Sequence, residues 1–224
     1  GAGRRLGVRL GLMASSRVTT NGGTNVAKRV GVFGGTFDPV HNGHIAVAEA
    51  VRDELELDEV LFVVTSDQWL RESPPVASAS DRFKMVQLAV ENVLGFTASD
   101  VDIVREGSTY TVDTLADFRE QFGETTEFFL IVGADSAASM DRWKRGDEIP
   151  SLATIVVIGR PGSEFSTDSL GASHPASGAE YVEGPMIDVS ATRVRGFLGV
   201  GRSVDGLIVG EVAEDIETHG LYRQ

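Results

Sequence analysis

The stretch GVFGGTFDPVHNGHIAVAEA, residues 31–50, begins as a buried strand, breaks at Gly34 and Gly35, turns at Asp38 and Pro39, and then places His41 and His44 at the head of a helix. Apolar β-branched residues, then glycines, then a 3.6-residue period describe a strand-to-helix crossing of an α/β protein. Gly34 and Gly35 let the backbone pass close to a ligand. The helix that follows points its N-terminal amides, and roughly half a positive charge, at the same place. That combination is an anion site. It is not the dinucleotide fingerprint, because Gly31, Gly34 and Gly35 miss the GxGxxG spacing, nor a Walker A loop, because no Gly-Lys-Ser/Thr follows. Histidines three apart on a first helical turn project from about the same side, with Gly43 leaving room between them.

Working outward, the alternation of β-branched runs and helical periods continues. RVGVF (29–33) is the first strand, and a helix from His41 to Leu55 carries Val47, Ala48, Val51 and Leu55 on one face. EVLFVV (59–64) is continuously apolar, as a strand covered on both faces would be. Ser78 or Ser80 caps a helix bearing Phe83, Val86, Val90 and Val93, and VDIV (101–104) reads as the third strand. Thr109 or Thr111 opens a helix with Leu115, Phe118 and Phe122; EFFLIVG (127–133) and ATIVVIG (153–159) are further strands. After a Gly/Ser/Pro-rich loop (160–180), a short strand near Tyr181 precedes a helix at Ala191–Leu198 and a last one with Val209, Val212, Ala213 and Ile216. The expectation is an α/β fold, a doubly wound, mostly parallel sheet with a small helical C-terminal end. Its ligand site should lie at the carboxyl ends of the strands.

Composition bounds the chemistry. The 224 residues, 42% hydrophobic, suffice for one sizeable core. With no cysteine, disulfides, thiolate metal sites and a cysteine nucleophile are excluded, and a cytoplasmic location fits. The net charge is −13; six cations and no acid precede Val30, so the rest of the chain carries −19. Such an acidic body argues against nucleic acid and anionic membranes as partners, while a small basic cleft can still hold one anionic ligand. No apolar run approaches the ~18 residues of a membrane span. Residues 1–28, rich in Gly, Ser, Thr and Arg, lack periodicity and read as a disordered leader or expression remnant, leaving 29–224 as one domain.

The segment His41-Asn42-Gly43-His44 resembles the HxGH signature of the nucleotidyltransferase superfamily, whose fold is Rossmann-like. TYTVDTL (109–115), FFLIVGADSAASMDRW (128–143), VSATRVR (189–195) and HGLYR (219–223) follow in order and are similar to nicotinate-nucleotide adenylyltransferases. The resemblance implies an enzyme of NAD biosynthesis that joins nicotinate mononucleotide to the adenylyl group of ATP, releasing pyrophosphate. Mg2+ would be carried with ATP, since the acids form no recognisable metal-ligand cluster. The resemblance gives His41, His44 and Arg195 catalytic roles. It places Gly34, Gly35, Thr36, Phe37, Arg71, Gly133, Asp135, Ser190 and Thr192 around ATP, and Thr109, Tyr110 and Trp143 around the mononucleotide. Read without it, Ser190 is a helix cap, Asp135 an N-cap, Thr109 a cap and Trp143 packing.

One departure stands out. Where the family shows a Pro-His-Lys segment after strand two, this chain has DQWLR (67–71), with Leu70 in the histidine's place and Arg71 in the lysine's. Three alternatives stay open: a nicotinamide mononucleotide substrate, a pantetheine-phosphate adenylyltransferase, and a nucleotide-binding sensor without turnover. The second would not explain Trp143 or HGLYR. A homo-oligomer is compatible with the sequence. His174 and His219 belong to no constellation and are assigned to packing.

Overall fold

Strand β1 (Arg29–Gly35) is the centre of the molecule. It joins β2 (Glu59–Val64), β3 (Phe96–Ser99), β4 (Glu127–Gly133), β5 (Thr154–Gly159) and β6 (Glu180–Glu183) in one sheet of order β3-β2-β1-β4-β5-β6. Every pairing is parallel. The computed structural model describes residues 27–66, 73–105, 107–159, 167 and 170–223. Because β1 lies between β2 and β4, the chain winds outward from it in both directions. The crevice at the carboxyl ends of β1 and β4 is therefore the switch point of the sheet.

The helices are α1 (Asn42–Glu54), α2 (Ala79–Val90), α3 (Val101–Arg105), α4 (Thr111–Phe122), α5 (Ala134–Ala138), α6 (Ile149–Leu152), α7 (Ala191–Gly199) and α8 (Gly210–His219). Strand alternation splits the core in two. Val60, Phe62 and Val64 of β2 pack with Val51 of α1, Met85 of α2, Val194 of α7 and Ile216 of α8. Leu61 and Val63 face the other way, with Val30 and Val32 of β1 and with Leu115 of α4 and Ala137 of α5. Gly31 faces α1's side because an added Cβ would stand 3.0 Å from Leu57 Cδ1 and 3.1 Å from Ile131 Cδ1.

Two sequence expectations are settled or corrected at element level. Ser78 rather than Ser80 caps α2, its hydroxyl accepting from the Asp81 amide at 3.1 Å. VDIV is not a strand. Residues 96–99 (FTAS) pair with β2 instead, Val60 opposite Phe96, and 101–105 wind into α3. The reason is Asp102: it is 2% exposed, and a helical turn lets Arg105, three residues on, donate to its carboxylate at 3.0 Å. A β-branched run is overridden by the partners of one buried carboxylate, Arg105 and Thr114.

Of the expected leader only Ala27 and Lys28 fall among the described residues, and the Lys28 ammonium donates to Glu59 at 2.7 Å. Arg71 and Trp69 lie outside the described residues. Among the described residues no helix is long and apolar enough to cross a membrane.

Candidate active site

The loop leaving β1 is built around a buried aromatic ring. Phe37 has φ +47° and is 2% exposed. An added Cβ on Gly35 would stand 2.7 Å from its ring, so Gly35 is required by packing, while nothing lies within 4 Å of a Cβ on Gly34. Gly34 therefore has free space on its Cβ side, whereas the Phe37 ring fills that of Gly35. The Phe37 ring meets His44 edge-on at 5.0 Å, which leaves only its backbone to approach a nucleotide. Asp38 precedes a cis proline and is 2% exposed. Its carboxylate accepts from the amides of Val76 (2.8 Å) and Ala77 (3.1 Å).

His41 occupies the N-cap position of α1. The rings of His41 and His44 are stacked, centroids 3.6 Å apart and planes 17° apart. The His41 amide donates to His44 Nδ1 at 3.1 Å, which makes Nδ1 the unprotonated nitrogen of His44 and leaves Nε2–H as a donor. His41 Nδ1 is buried with no hydrogen-bond partner in the protein. Burial lowers the His41 pKa to about 4, a backbone hydrogen bond partly opposing it. The same desolvation, then the neighbouring His41, takes His44 well below its ordinary value. Both imidazoles are neutral near pH 7. Gly43 does more than leave room: its Cβ would stand 2.9 Å from Val189 Cγ1 and 3.1 Å from His41 Nδ1. The segment before α7 thus packs directly on the first turn of α1.

Helix α7 brings Arg195 to the same place. Its guanidinium donates to the backbone carbonyl of Asp38 at 2.6 Å and to Thr192 Oγ1 at 3.3 Å. Ser190 is the N-cap, its hydroxyl oxygen accepting from the Arg193 amide at 3.2 Å. Arg193 turns away to Asp188. Two helix N-termini, two neutral imidazoles and one guanidinium therefore converge on the loop 34–38.

A cavity of about 120 Å3 opens between the ends of β1 and β4 and is lined by Gly34, Asp102, Thr109, Thr111, Gly133 and Trp143, among others. It is of the order of the ~150 Å3 that holds a benzene ring, so it fits a ring rather than a whole nucleotide. Phe33 lines it and also stands 6.3 Å from His44, joining the two halves. Thr109 is 9% exposed, and its hydroxyl has no partner in the protein. Asp102 accepts from Thr114 Oγ1 at 2.5 Å, and burial holds its carboxyl above the usual range against the pull of Thr114 and Arg105. Trp143 is fixed by its neighbours: Gly146 donates to its carbonyl at 3.1 Å, and Arg145 bonds Asp113 in the first turn of α4 at 2.9 Å.

Tyr110 sits at the N-cap position of α4 without a side-chain cap bond. Asp135 is not an N-cap: Gly133 holds that position, and Asp135 lies exposed in the first turn of α5. Among the described residues, no group of three or more His, Asp or Glu could hold a metal ion.

The cytidylyltransferase-like sequence pattern matches residues 32–197. The chain is similar to a probable nicotinate-nucleotide adenylyltransferase of Dehalococcoides mccartyi, 36% identical over 202 residues, covering 89% of this chain and 99% of that protein. It is likewise similar to one of Corynebacterium jeikeium, 40% identical over 196 residues, covering 85% and 98%. The chain belongs to the cytidylyltransferase-like family, among the nicotinate-nucleotide adenylyltransferases. Its fold is shared with Plasmodium falciparum nicotinic acid mononucleotide adenylyltransferase complexed with NaAD, at a TM-score of 0.69 and 18% identity over 87% of this chain and 97% of that one.

Around the site stand buried residues that sequence reasoning did not single out. Arg82 is 1% exposed and donates to the carbonyls of Thr36 (2.7 Å), Thr65 (2.8 Å) and Ala77 (3.3 Å), tying the loop after β1 to the end of β2 and the start of α2. A signal existed: Arg82 precedes Val86 and Val90 at four-residue intervals, a cation on the apolar face of its helix. Asp38 and Asp102 carried none, since a turn Asp and an Asp in a β-branched run have ordinary readings. His174, assigned to packing, is 11% exposed in its side chain and accepts from the Ala176 amide at 3.1 Å, capping a turn.

Proposed function

We propose that this chain catalyses attack of the phosphate of nicotinate mononucleotide on the α-phosphorus of Mg-ATP at the neutral histidine pair, with the pyridine ring held in the Trp143 cavity. A bond forms between the mononucleotide oxygen and Pα while the Pα–O bond to the β-phosphate breaks, so nicotinate adenine dinucleotide and pyrophosphate result. The attacking oxygen is already anionic, and the reaction needs alignment and donors rather than a strong base. His44 Nε2–H is the donor its fixed tautomer supplies, and a preorganised donor of this kind contributes roughly 3 to 4 kcal/mol. Arg195, with Ser190 and Thr192 at the start of α7, meets the β- and γ-phosphates, and Gly34, Gly35, Thr36 and Phe37 offer backbone to the nucleotide. Gly133 and Asp135 suit the ribose of ATP, and Arg71 is assigned to its phosphates. Thr109 and Tyr110 face the mononucleotide. The described residues do not fit a resident metal, so Mg2+ enters as part of the substrate and no step is assigned to it. The reaction is placed in the cytoplasm.

The observation that carries this reading is the stacked, neutral His41–His44 pair beside a ring-sized cavity at the switch point of the sheet. The test is pyrophosphate release from Mg-ATP with nicotinate mononucleotide, nicotinamide mononucleotide or phosphopantetheine offered in turn. Release with the first at a kcat/KM at least about tenfold above the others is expected. No release, or a preference for either competitor, overturns it.

A further inference from the structure

Tyr222 lies in HGLYR, a stretch to which neither the phosphate half nor the ring half of the site gives a task. Its side chain is not idle. The residue is 9% exposed, and its hydroxyl donates to Asp38 Oδ1 at 2.8 Å, across 184 residues of chain. Its backbone is left-handed, φ +63°, a conformation that an L-residue keeps only where its surroundings over-determine it. Burial, and then Asp38, hold the phenol above its ordinary range, so the hydroxyl stays a donor throughout the working pH range.

Asp38 is where this bond has its effect. The Val76 and Ala77 amides and Tyr222 fix its carboxylate, its backbone carbonyl accepts from Arg195 at 2.6 Å, and the Arg195 guanidinium stands 3.9 Å from Oδ2. The connection between α7 and α8 holds the head of α1: the Asn42 amide donates to the Leu207 carbonyl at 2.9 Å and its side chain to that of Gly206 at 2.9 Å. Tyr222, beyond the end of α8, is thus two hydrogen bonds from the Arg195 guanidinium.

We propose that Tyr222 is a positioning residue for adenylyl transfer, holding Asp38 so that the loop after β1 and Arg195 keep the geometry the triphosphate needs. The inference rests on the reading of Arg195 as a phosphate ligand. It assigns the C-terminal stretch a part in turnover rather than in packing alone.

The test compares wild type, Tyr222→Phe, Arg195→Ala and the double variant by steady-state pyrophosphate release from Mg-ATP and nicotinate mononucleotide, with Tm measured on each. Phenylalanine fills the same space and removes only the hydroxyl. Tyr222→Phe is expected to lower kcat by about tenfold while the KM for ATP moves by less than about threefold, and to change kcat by less than about twofold once Arg195 is gone. Leu221→Ala, which loosens packing of the same segment without touching the hydrogen bond, is expected to lower Tm and leave kcat within about twofold. An unchanged kcat in Tyr222→Phe overturns the proposal. So does the full loss persisting in the Arg195→Ala background, or an equal kcat loss in Leu221→Ala. Should Tyr222→Phe not fold, Asp38→Asn cuts the chain one link nearer Arg195 and must show the same loss and the same dependence on Arg195. Wild-type turnover in Arg195→Ala would overturn the phosphate assignment and this proposal together; a slow Arg195→Ala beside an unaffected Tyr222→Phe overturns this proposal alone.

Discussion

His41 and His44 are neutral because their rings are taken out of water before any phosphate arrives, and that state has a measurable cost. The folded pKa of His41 is lowered to about 4 from 6.5, so between those values the unfolded chain binds the proton and the folded chain does not. Stability from this residue is fully present above about pH 6.5 and is lost as pH falls toward 4. A loss on the order of 3 kcal/mol is expected from His41 between pH 7 and pH 4. Urea unfolding across that range should show it in wild type and show a correspondingly shallower slope in His41→Gln. Catalysis gives a second prediction at this scale. The proposed function has each ring serve charge that grows on the phosphates, and on it His41→Ala and His44→Ala should each lower kcat by about 100-fold or more while ATP affinity changes far less. Equal changes in both quantities would mean that the rings bind the ground state only.

At the scale of elements, the site exists where two helix starts touch, and Gly43 is the point of contact. Gly43→Ala places a methyl 2.9 Å from Val189 Cγ1 and 3.1 Å from His41 Nδ1. It should cost about 1 to 3 kcal/mol in overpacking, read as a lower Tm, and should slow turnover by parting α1 from α7. Much of this architecture is legible in the sequence. Continuous apolar runs at 59–64 and 127–133 gave buried parallel strands, while Gly34 and Gly35, read as a break, end β1 paired with Val63 and Val64. What local pattern could not supply was partners distant in sequence. VDIV has strand propensity and no visible reason to wind, because the reason is Thr114 and Arg105 bonded to Asp102. Arg82 and Asp38 escaped notice likewise: their partners are carbonyls and amides of other segments, which carry no side-chain signature. Trp143 and Thr109, which line the cavity, were singled out by resemblance alone, since a tryptophan in a polar stretch is most often packing.

Over the whole molecule, the sheet's switch point makes one site of two. In the proposed function the phosphate half stands on β1, α1 and α7, and the ring half on α4, β4 and the turn at Trp143. A ligand spanning both should couple them. Nicotinate adenine dinucleotide is therefore expected to raise Tm more than ATP or nicotinate mononucleotide alone at matched saturation, as seen by thermal shift; equal shifts would place the two halves in separate sites. The contacts that close the phosphate half also set the order of assembly. Asp38 and Arg195 are 157 residues apart, and Asn42 and Gly206 are 164 apart. Loop-closure entropy must be met before such contacts form. During synthesis the histidine loop leaves the ribosome early and waits for about 150 further residues. A nascent chain stalled before Arg195 holds every residue of the histidine signature but lacks the guanidinium that the proposed function sets on the triphosphate.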